Sequence, residues 1–360
     1  MSESPVTQRS VAAAPRGSPL SFMSLALLLF VASAATMAVE IAAGRMISRH
    51  LGASIYTWTS VIGIVLAGLA IGNYLGGLIA DYKNSRGSLS LILLIAAFAC
   101  ALIPIADAFA AGWSAIWMLS WPARTAVHVA IAFMLPALSL GLIAPMVIKL
   151  ALDSGMARGR AVGVLSAAGA LGSLAGTFAA GFVLIEWIGT MGVTSAAAGL
   201  LALIALFSGS AMPRVWMGAA ISVAPIGYVW AFTGFDPSQV SRLAVWRSAD
   251  ARPTRPILAT ESAYSYIEVY AMNESGRVRG MKLDSLVHSE INLDAPHDLQ
   301  YEYERIFAAI TNRLHPDAKQ IDTLTIGGGG YVFPRYLAET RPNSKTDVVE
   351  IDPAVTKSRG

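Results

Sequence analysis

The first two thirds of the chain alternate between long apolar runs and short polar connections. A helix needs about 20 apolar residues to cross a bilayer core of ~30 Å. Because lipid offers the backbone no hydrogen-bond partners, each such run is predicted to be a helix rather than a strand. The predicted spans are Leu20–Gly44, Ile55–Ala80, Leu89–Ala111, Thr125–Leu150, Val162–Ile185, Ile188–Ser208 and Trp216–Phe232. The pattern therefore predicts a transmembrane bundle of about seven helices, the last of which is short and contains Pro225.

After residue 257 the period of the pattern changes. Ser265–Tyr270 alternates as a half-buried strand does, Asn273–Gly276 is a turn signal, and Val278–Val287 resumes strand-like character. Leu299–Leu314 then places apolar residues at helical spacing, and Pro316 closes that helix. Residues 258–318 are therefore predicted to form a β-hairpin region followed by a helix.

The end of the chain carries a strand, a glycine-rich turn, a helix and a second strand. Ile321–Ile326 is a short apolar strand, Gly327–Gly330 follows it, and Asp347–Asp352 is a second strand ending in carboxylates. This order is typical of the first βαβ unit of a nucleotide-binding α/β fold, in which an acid after the second strand accepts ribose hydroxyls. A structural turn with a nearby surface acid is the alternative. The predicted cofactor-binding residues are Gly327, Gly328, Gly329, Glu350 and Asp352.

Composition agrees with this division. The chain is 55% hydrophobic and 14% charged, against roughly 25% charged residues in an ordinary soluble domain. Charges are sparse up to Phe232 and dense from Asp236 onward. The predicted units are a disordered tail at 1–19, the helical domain at 20–233, a linker at 234–257, the hairpin and helix at 258–318, and an incomplete βαβ domain at 319–360. The net charge of +3 is small and dispersed, so no nucleic-acid partner is expected.

Polar side chains inside the apolar runs are few, and each is a functional hypothesis because it is costly in lipid. Pairing or snorkelling of Glu40 and Arg45 near one interface is favoured over ligand binding. His128 is expected to be a hydrogen-bonded packing residue, since no second ligand lies at helical spacing, and no metal site is predicted. The other polar residues within or near the apolar runs are Asn73, Lys149 and Glu186.

Glycines recur every four residues at Gly68, Gly72 and Gly76, and again at Gly172 and Gly176. Such faces let helix backbones approach closely. A tightly packed bundle is the favoured interpretation, and helix rocking in a transporter is the alternative.

Two signals predict the orientation of the protein in the membrane, and they disagree. Seven spans collect most basic residues on the face of the N-terminus, and the positive-inside rule places that face in the cytoplasm. An odd number of spans then exports the C-terminal domain, although a domain that uses a cytosolic cofactor should stay inside. A cytoplasmic C-terminal domain is favoured, with the protein in the inner (plasma) membrane.

Two sets of segments resemble a known family. The segments of the helical part are Val39–Arg45, Leu51–Trp58 and Leu66–Asp81; those of the C-terminal part are Glu261–Ile267, Leu283–His288, Gly327–Gly330 and Val349–Val355. Together they resemble membrane-bound spermidine synthase-like proteins (polyamine aminopropyltransferases), including chains in which a major-facilitator region is fused to a spermidine synthase. The resemblance implies a bundle followed by the start of a Rossmann-like, methyltransferase-type α/β domain.

The resemblance also implies chemistry. Soluble members of the family transfer an aminopropyl group from decarboxylated S-adenosylmethionine to putrescine. By resemblance, Glu350 would hold the ribose of that co-substrate, Gly327–Gly329 would line its site, and Tyr264 and His288 would face the amine substrate. The expected partners are the lipid bilayer and a polyamine or another small amine, and a homo-oligomer is left open.

The chain also departs from the family pattern. Gly330 stands where the family has an aspartate that contacts the cofactor, and Tyr303–Arg305 matches a Tyr-His-Glu motif, so that a cation replaces a carboxylate. The family's catalytic base belongs to later strands. The chain is therefore expected to be C-terminally truncated and inactive in transfer as it stands. A multi-pass transporter of major-facilitator type, for polyamines or small cations, is the alternative function, and a non-catalytic membrane scaffold is a third.

Overall fold

The computed structural model describes residues 22–83, 85–154, 157–208, 213–233, 256–316 and 320–358. The predicted tail at 1–19 and nearly all of the predicted linker lie outside these residues. Within them, the chain forms a long helical bundle and a small α/β domain.

The bundle is built from helices that correspond to every predicted apolar run. Ser54 and Ser85 begin α2 and α3, because each side chain accepts a hydrogen bond from a backbone N–H of the first turn. The helices of the bundle are α1 (Phe22–Leu51), α2 (Ile55–Tyr82), α3 (Arg86–Gly112), the short α4 (Ser114–Trp117), α5 (Trp121–Gly141), α6 (Ile143–Asp153), α7 (Arg158–Ala179), α8 (Ile185–Ser208) and α9 (Pro213–Thr233). A π-helical turn, Ala180–Leu184, joins α7 to α8.

Five continuous helices of the described chain are long and apolar enough to cross a membrane. The fifth of these, Arg158–Ser208, has 51 residues and includes both α7 and α8. Gly189 interrupts it with φ +67° and ψ 172°, a conformation that no helix contains. The chain reverses there, so this single apolar segment contains two passes of the bundle.

Helix directions follow from which residues meet. Gly172 lies against Phe30 and Gly176 against Ala34, so α7 runs parallel to α1. Ser90, early in α3, donates to the carbonyl of Ala205, late in α8, so these two helices are antiparallel. Val229, near the end of α9, packs with Ala108, near the end of α3, so α9 runs parallel to α3. Within the described residues the chain passes the bundle seven times, and α9 ends on the face opposite the start of α1.

The predicted glycine faces are packing faces. A Cβ atom added at Gly76 would lie 2.8 Å from the carbonyl oxygen of Leu142, and one added at Gly72 would overlap the carbonyl oxygen of Leu138. At Gly172 and Gly176 the overlapping atoms are backbone carbonyls of α1. Close approach of backbones thus holds α2 against α5 and α6, and α1 against α7.

The small domain begins with a four-stranded antiparallel sheet in the order β1-β2-β3-β4. Its strands are β1 (Pro256–Glu261), β2 (Tyr266–Ala271), β3 (Val278–Leu283) and β4 (Leu286–Asn292). The predicted hairpin is therefore part of a larger meander, and the predicted strand Val278–Val287 is wrong as one element. It breaks at Asp284, whose φ is +53° and whose carboxylate accepts the N–H of Tyr266 at 3.0 Å.

The rest of the domain contains one βαβ unit. The elements are α10 (Glu302–Leu314), β5 (Asp322–Ile326), α11 (Val332–Thr340), β6 (Lys345–Val349) and α12 (Pro353–Lys357). β5 and β6 pair in parallel, with Ile326 opposite Val349. The carboxyl ends of both strands therefore meet at one edge, as the sequence predicts.

Candidate functional site

The glycine loop, Gly327–Gly330, leaves β5 at the edge where β6 also ends. Gly327 and Gly329 have φ values of +90° and +48°, which glycine adopts without strain. The N–H of Gly327 donates to the carbonyl of Val349 at 2.8 Å. This bond continues the parallel ladder of β5 and β6, so the loop begins directly at the end of both strands.

Glu350 closes this loop from the other strand. One carboxylate oxygen accepts the N–H of Gly328 at 2.6 Å, and the other accepts the N–H of Asp352 at 2.8 Å. A carboxylate can accept about four hydrogen bonds, so each oxygen keeps a free lone pair. The structure thus brings together Gly328 and Glu350, two predicted cofactor residues 22 positions apart.

Asp352 lies beside this pair but has other partners. It is 3% exposed. One oxygen accepts the hydroxyl of Ser262 at 2.6 Å, and the other accepts the N–H of Ala354 at 2.9 Å and so caps α12. Both oxygens of Asp352 are thus engaged in joining the turn between β1 and β2 to the end of the βαβ unit.

The two predicted substrate residues lie apart from the loop. Tyr264 is 51% exposed in the turn between β1 and β2, and His288 is exposed on β4. Ser289 is the β4 residue that contacts the loop, at Gly330. His288 is the extra residue of a β-bulge there, since Ser289 pairs with Met281 and Val287 with Lys282. Among the described residues no hydrogen bond joins Tyr264 or His288 to the glycine loop.

The segment Tyr303–Arg305 is organised around a buried acid. Glu304 is 2% exposed, and burial raises the pKa of its carboxyl above the ordinary value. Burial, together with the charge of Glu304, raises the pKa of Tyr303 to about 12. Arg305 donates to the carbonyls of Leu299 and Gln300 at 2.9 and 2.7 Å. The guanidinium of Arg305, which replaces the carboxylate of the family motif, therefore binds the loop just before α10.

A buried ion pair fastens the small domain to the bundle. Arg49 of α1 and Glu261 of β1 lie 3.0 Å apart, with side chains 5% and 4% exposed. Thr190 donates its N–H to Glu261 at 2.6 Å and its hydroxyl at 2.9 Å. The guanidinium of Arg49 also lies 4.6 Å from the ring centre of Tyr266. The kink at Gly189, inside α8, presents the N–H of Thr190 to this carboxylate.

Arg45, one turn earlier on α1, extends the contact. It donates to the carbonyls of Tyr264 at 2.6 Å and Ser262 at 2.8 Å. Of the expected pairing or snorkelling of Glu40 and Arg45, the pairing is therefore wrong, because the small domain supplies the acceptors of Arg45 instead. Ser262 also donates to Asp352, so hydrogen bonds connect α1 with the strand end that carries Glu350.

A cluster of three polar side chains lies inside the bundle. The sequence identifies His128 but not the other two members of the cluster. His50 of α1 and His128 of α5 both direct Nε2 at the carboxylate of Asp107 on α3, at 3.1 and 2.9 Å. Asp107 is fully buried and His128 is 1% exposed. His128 is hydrogen-bonded, as predicted. Its partners come from two other helices, which spacing along one helix cannot reveal; the available signal is the lone carboxylate within an apolar run.

Comparison with known proteins gives few matches. No protein-family model matches the chain, and no curated protein matches it. A solved structure of a probable spermidine synthase from Corynebacterium glutamicum matches at 28% identity, over 28% of this chain and 38% of that one, with a TM-score of 0.26. The chain thus spans less than half of the length of that enzyme.

Proposed function

We propose that this protein is a multi-pass membrane protein of spermidine synthase-like type whose small domain binds an adenosyl cofactor, decarboxylated S-adenosylmethionine, at the glycine loop. The observation that carries the proposal is the 2.6 Å contact between the N–H of Gly328 and the carboxylate of Glu350. It places a flexible backbone and an acid at the carboxyl edge of two parallel strands, where α/β folds bind nucleotides.

Each residue of the site has a role in this proposal. The free lone pairs of Glu350 accept the two ribose hydroxyls. Gly327 and Gly329, which carry no side chain, let the ligand approach the backbone. Aminopropyl transfer to a polyamine is the activity that such a cofactor supports, and the attacking amine must be neutral to act as a nucleophile. Tyr264 and His288 are proposed to face that amine.

The test is calorimetric titration of the detergent-purified chain with decarboxylated S-adenosylmethionine and, separately, with S-adenosylmethionine. Glu350→Gln removes the charge of the proposed ribose acceptor, and Glu339→Gln makes the same change at an exposed position on α11. We expect wild type and Glu339→Gln to bind equally and Glu350→Gln to bind at least tenfold more weakly. Equal binding by all three proteins, or none by the wild type, would contradict the proposal.

We further propose that the protein lies in the inner (plasma) membrane with its small domain on the cytoplasmic side. The cofactor is a cytosolic metabolite, and this supports the assignment. The basic residues argue for the reverse: those on the face away from the domain are Lys83, Arg86, Lys149, Arg158 and Arg160, and those on the domain face are Arg45, Arg49 and Arg124. Arg45 and Arg49, however, are bound to the domain itself.

Cysteine labelling decides between these two orientations. The chain has a single cysteine, Cys100, which is fully buried. In a Cys100→Ala background, Glu274→Cys places a thiol on the small domain and Tyr82→Cys places one on the opposite face, where Tyr82 is 93% exposed. With an impermeant maleimide on intact cells, we expect Tyr82→Cys to react and Glu274→Cys to react only after permeabilisation. The reverse pattern would show that the domain is exported.

One observation favours transport as a second candidate function. Asp107 is a fully buried carboxylate within the bundle, and intramembrane ionisable groups often mark the path of a cation. Uptake of labelled putrescine into proteoliposomes, lost in Asp107→Asn, would support a transporter. The absence of uptake by the wild type would remove this candidate and leave the cofactor proposal unaffected.

A further inference from the structure

The strongest chemistry outside the small domain is the cluster of His50, Asp107 and His128. Three different helices contribute these side chains, and each residue lies near the end of its helix that faces the domain. The two imidazoles bond the two oxygens of one carboxylate, at 3.1 and 2.9 Å. Among the described residues, these imidazoles are the hydrogen-bond partners of Asp107. The bundle thus encloses one carboxylate and two imidazoles.

We propose that His50, Asp107 and His128 bind a divalent transition-metal ion of the zinc class. Two imidazoles and one carboxylate are ligands that zinc and its neighbours prefer, whereas magnesium and calcium prefer oxygen ligands alone. Three protein ligands also leave a coordination position for water. The side chain of His50 is 19% exposed, against 0% for Asp107, so the open position lies on the His50 side.

The distances suit such an ion. One potential ligand atom from each residue lies within 4.8 Å of the others. In a tetrahedral zinc site with bonds of ~2.0–2.1 Å, neighbouring ligand atoms are about 3.3 Å apart. The two nitrogens now lie 2.9 and 3.1 Å from different oxygens of the same carboxylate, so the three side chains already converge.

Electrostatics favours a metal over hydrogen bonds alone. A buried carboxylate needs a compensating positive charge. Arg49, the neighbour of His50, is already paired with Glu261. The two imidazole rings stack, with centroids 5.5 Å apart and an angle of 27°, so two positively charged rings would repel each other. A divalent cation bound by neutral imidazoles compensates the carboxylate and removes this repulsion.

A metal ion at this position would also stabilise the folded protein. It would connect α1, α3 and α5 at the face where the small domain docks, one residue away from Arg49. A ligand that binds only the folded state stabilises it. We therefore expect saturating zinc to raise the unfolding temperature of the purified chain by about 5 °C or more.

The direct test is equilibrium dialysis of the full chain, purified in detergent without a polyhistidine tag, against Zn²⁺, with the visible absorption spectrum of Co²⁺ as a second probe. Asp107→Asn and His128→Gln remove ligands, and His288→Gln removes an exposed histidine of the small domain as a matched control. We expect one equivalent of zinc in wild type and His288→Gln, and at least tenfold weaker binding in the two ligand variants.

Absence of stoichiometric zinc from the wild type, or unchanged affinity in folded Asp107→Asn, would overturn the proposal. If Asp107→Asn and His128→Gln fail to fold, His50→Gln at the partly exposed side replaces them. Unchanged zinc affinity in that variant, or no zinc-dependent rise in the unfolding temperature of the wild type, would overturn it equally. The cofactor titration does not depend on this outcome, so the two proposals can fail separately.

Discussion

The bundle and the small domain both expose large apolar side chains, but the exposure has different meanings in the two regions. In the bundle, Phe182 and Phe207 are 74% and 77% exposed on a helix that is long and apolar enough to cross a membrane. In the small domain, Ile326 and Ile351 are 84% and 72% exposed, at the edge that carries the glycine loop. The same apolar exposure is therefore compatible with a membrane environment in one region, and in the other it marks a sparsely covered two-stranded sheet.

The ion pairs of the described residues are of two kinds, those on the surface and those buried where the two regions meet. In the small domain, the ion pairs Arg277–Asp294 and Lys345–Asp347 lie on the surface. In the bundle, Arg49 and Asp107 are buried at the end that meets the domain. Within the described residues, the buried ion pairs of the bundle therefore lie where the two regions join.

The largest effect is expected from Glu261→Ala, which leaves Arg49 buried without its partner. Breaking a buried pair by removing one member costs ~3–5 kcal/mol. Hydrogen exchange of the β1 and β2 amides measures this loss as faster opening of the docked edge. Asp294→Ala breaks an exposed pair and is the control, and little or no change is expected because water screens that pair. Equal effects of both variants would contradict the contrast between the regions.

Next in size is Gly72→Ala in α2. The added methyl group overlaps the carbonyl oxygen of Leu138, so α2 and α5 must separate, at ~1–3 kcal/mol. Gly77→Ala lies on the same helix with nothing within 4 Å of the new atom. Thermal unfolding in detergent should show a lower midpoint for Gly72→Ala and an unchanged or higher one for Gly77→Ala. A matching decrease in both would show that the glycine face does not determine the packing.

A smaller effect concerns Glu304. Its folded-state pKa is raised by burial, so the stability that it contributes is present below its unfolded pKa and is lost as pH rises through the folded pKa. Glu304→Gln removes this titration. We expect the variant to be more stable than wild type at a pH above the folded-state pKa of Glu304, with a flatter dependence of the unfolding midpoint on pH as the pH rises from the ordinary pKa of a glutamate. Identical pH profiles for the two proteins would count against a perturbed carboxyl.

The smallest effect is expected from Ile326→Thr, since the side chain is already 84% exposed. The free energy of unfolding should change by no more than about 0.5 kcal/mol. Ile267→Thr, at a fully buried position of β2, makes the same chemical change and should destabilise strongly, as chemical denaturation would show. A large loss in Ile326→Thr would mean that this surface is covered in the working protein.

The sequence predicts what depends on local pattern. Apolar length locates all seven passes, including α9 with Pro225 inside it. The order of strand, glycines and acid locates Gly328 and Glu350. Contacts between distant residues are beyond such patterns: Arg49 and Glu261 are 212 residues apart, and neither carries a signal for the other. The break between β3 and β4 cannot be predicted from the pattern, because the single residue with positive φ, Asp284, lies within a continuous strand-like run.

The most direct test of the docked arrangement is a disulfide between the two regions. A Cβ atom at Gly52 lies 3.9 Å from Cβ of Ser285, within the ~3.5–4.5 Å of natural disulfides. In a Cys100→Ala background, Gly52→Cys with Ser285→Cys should cross-link nearly completely under mild oxidation, seen as a mobility shift reversed by reductant. Gly52→Cys with Glu274→Cys, displaced by the length of β3 or about 20 Å, should not. Equal cross-linking of both pairs, or of neither, would contradict a small domain held against the bundle by Arg45 and Arg49.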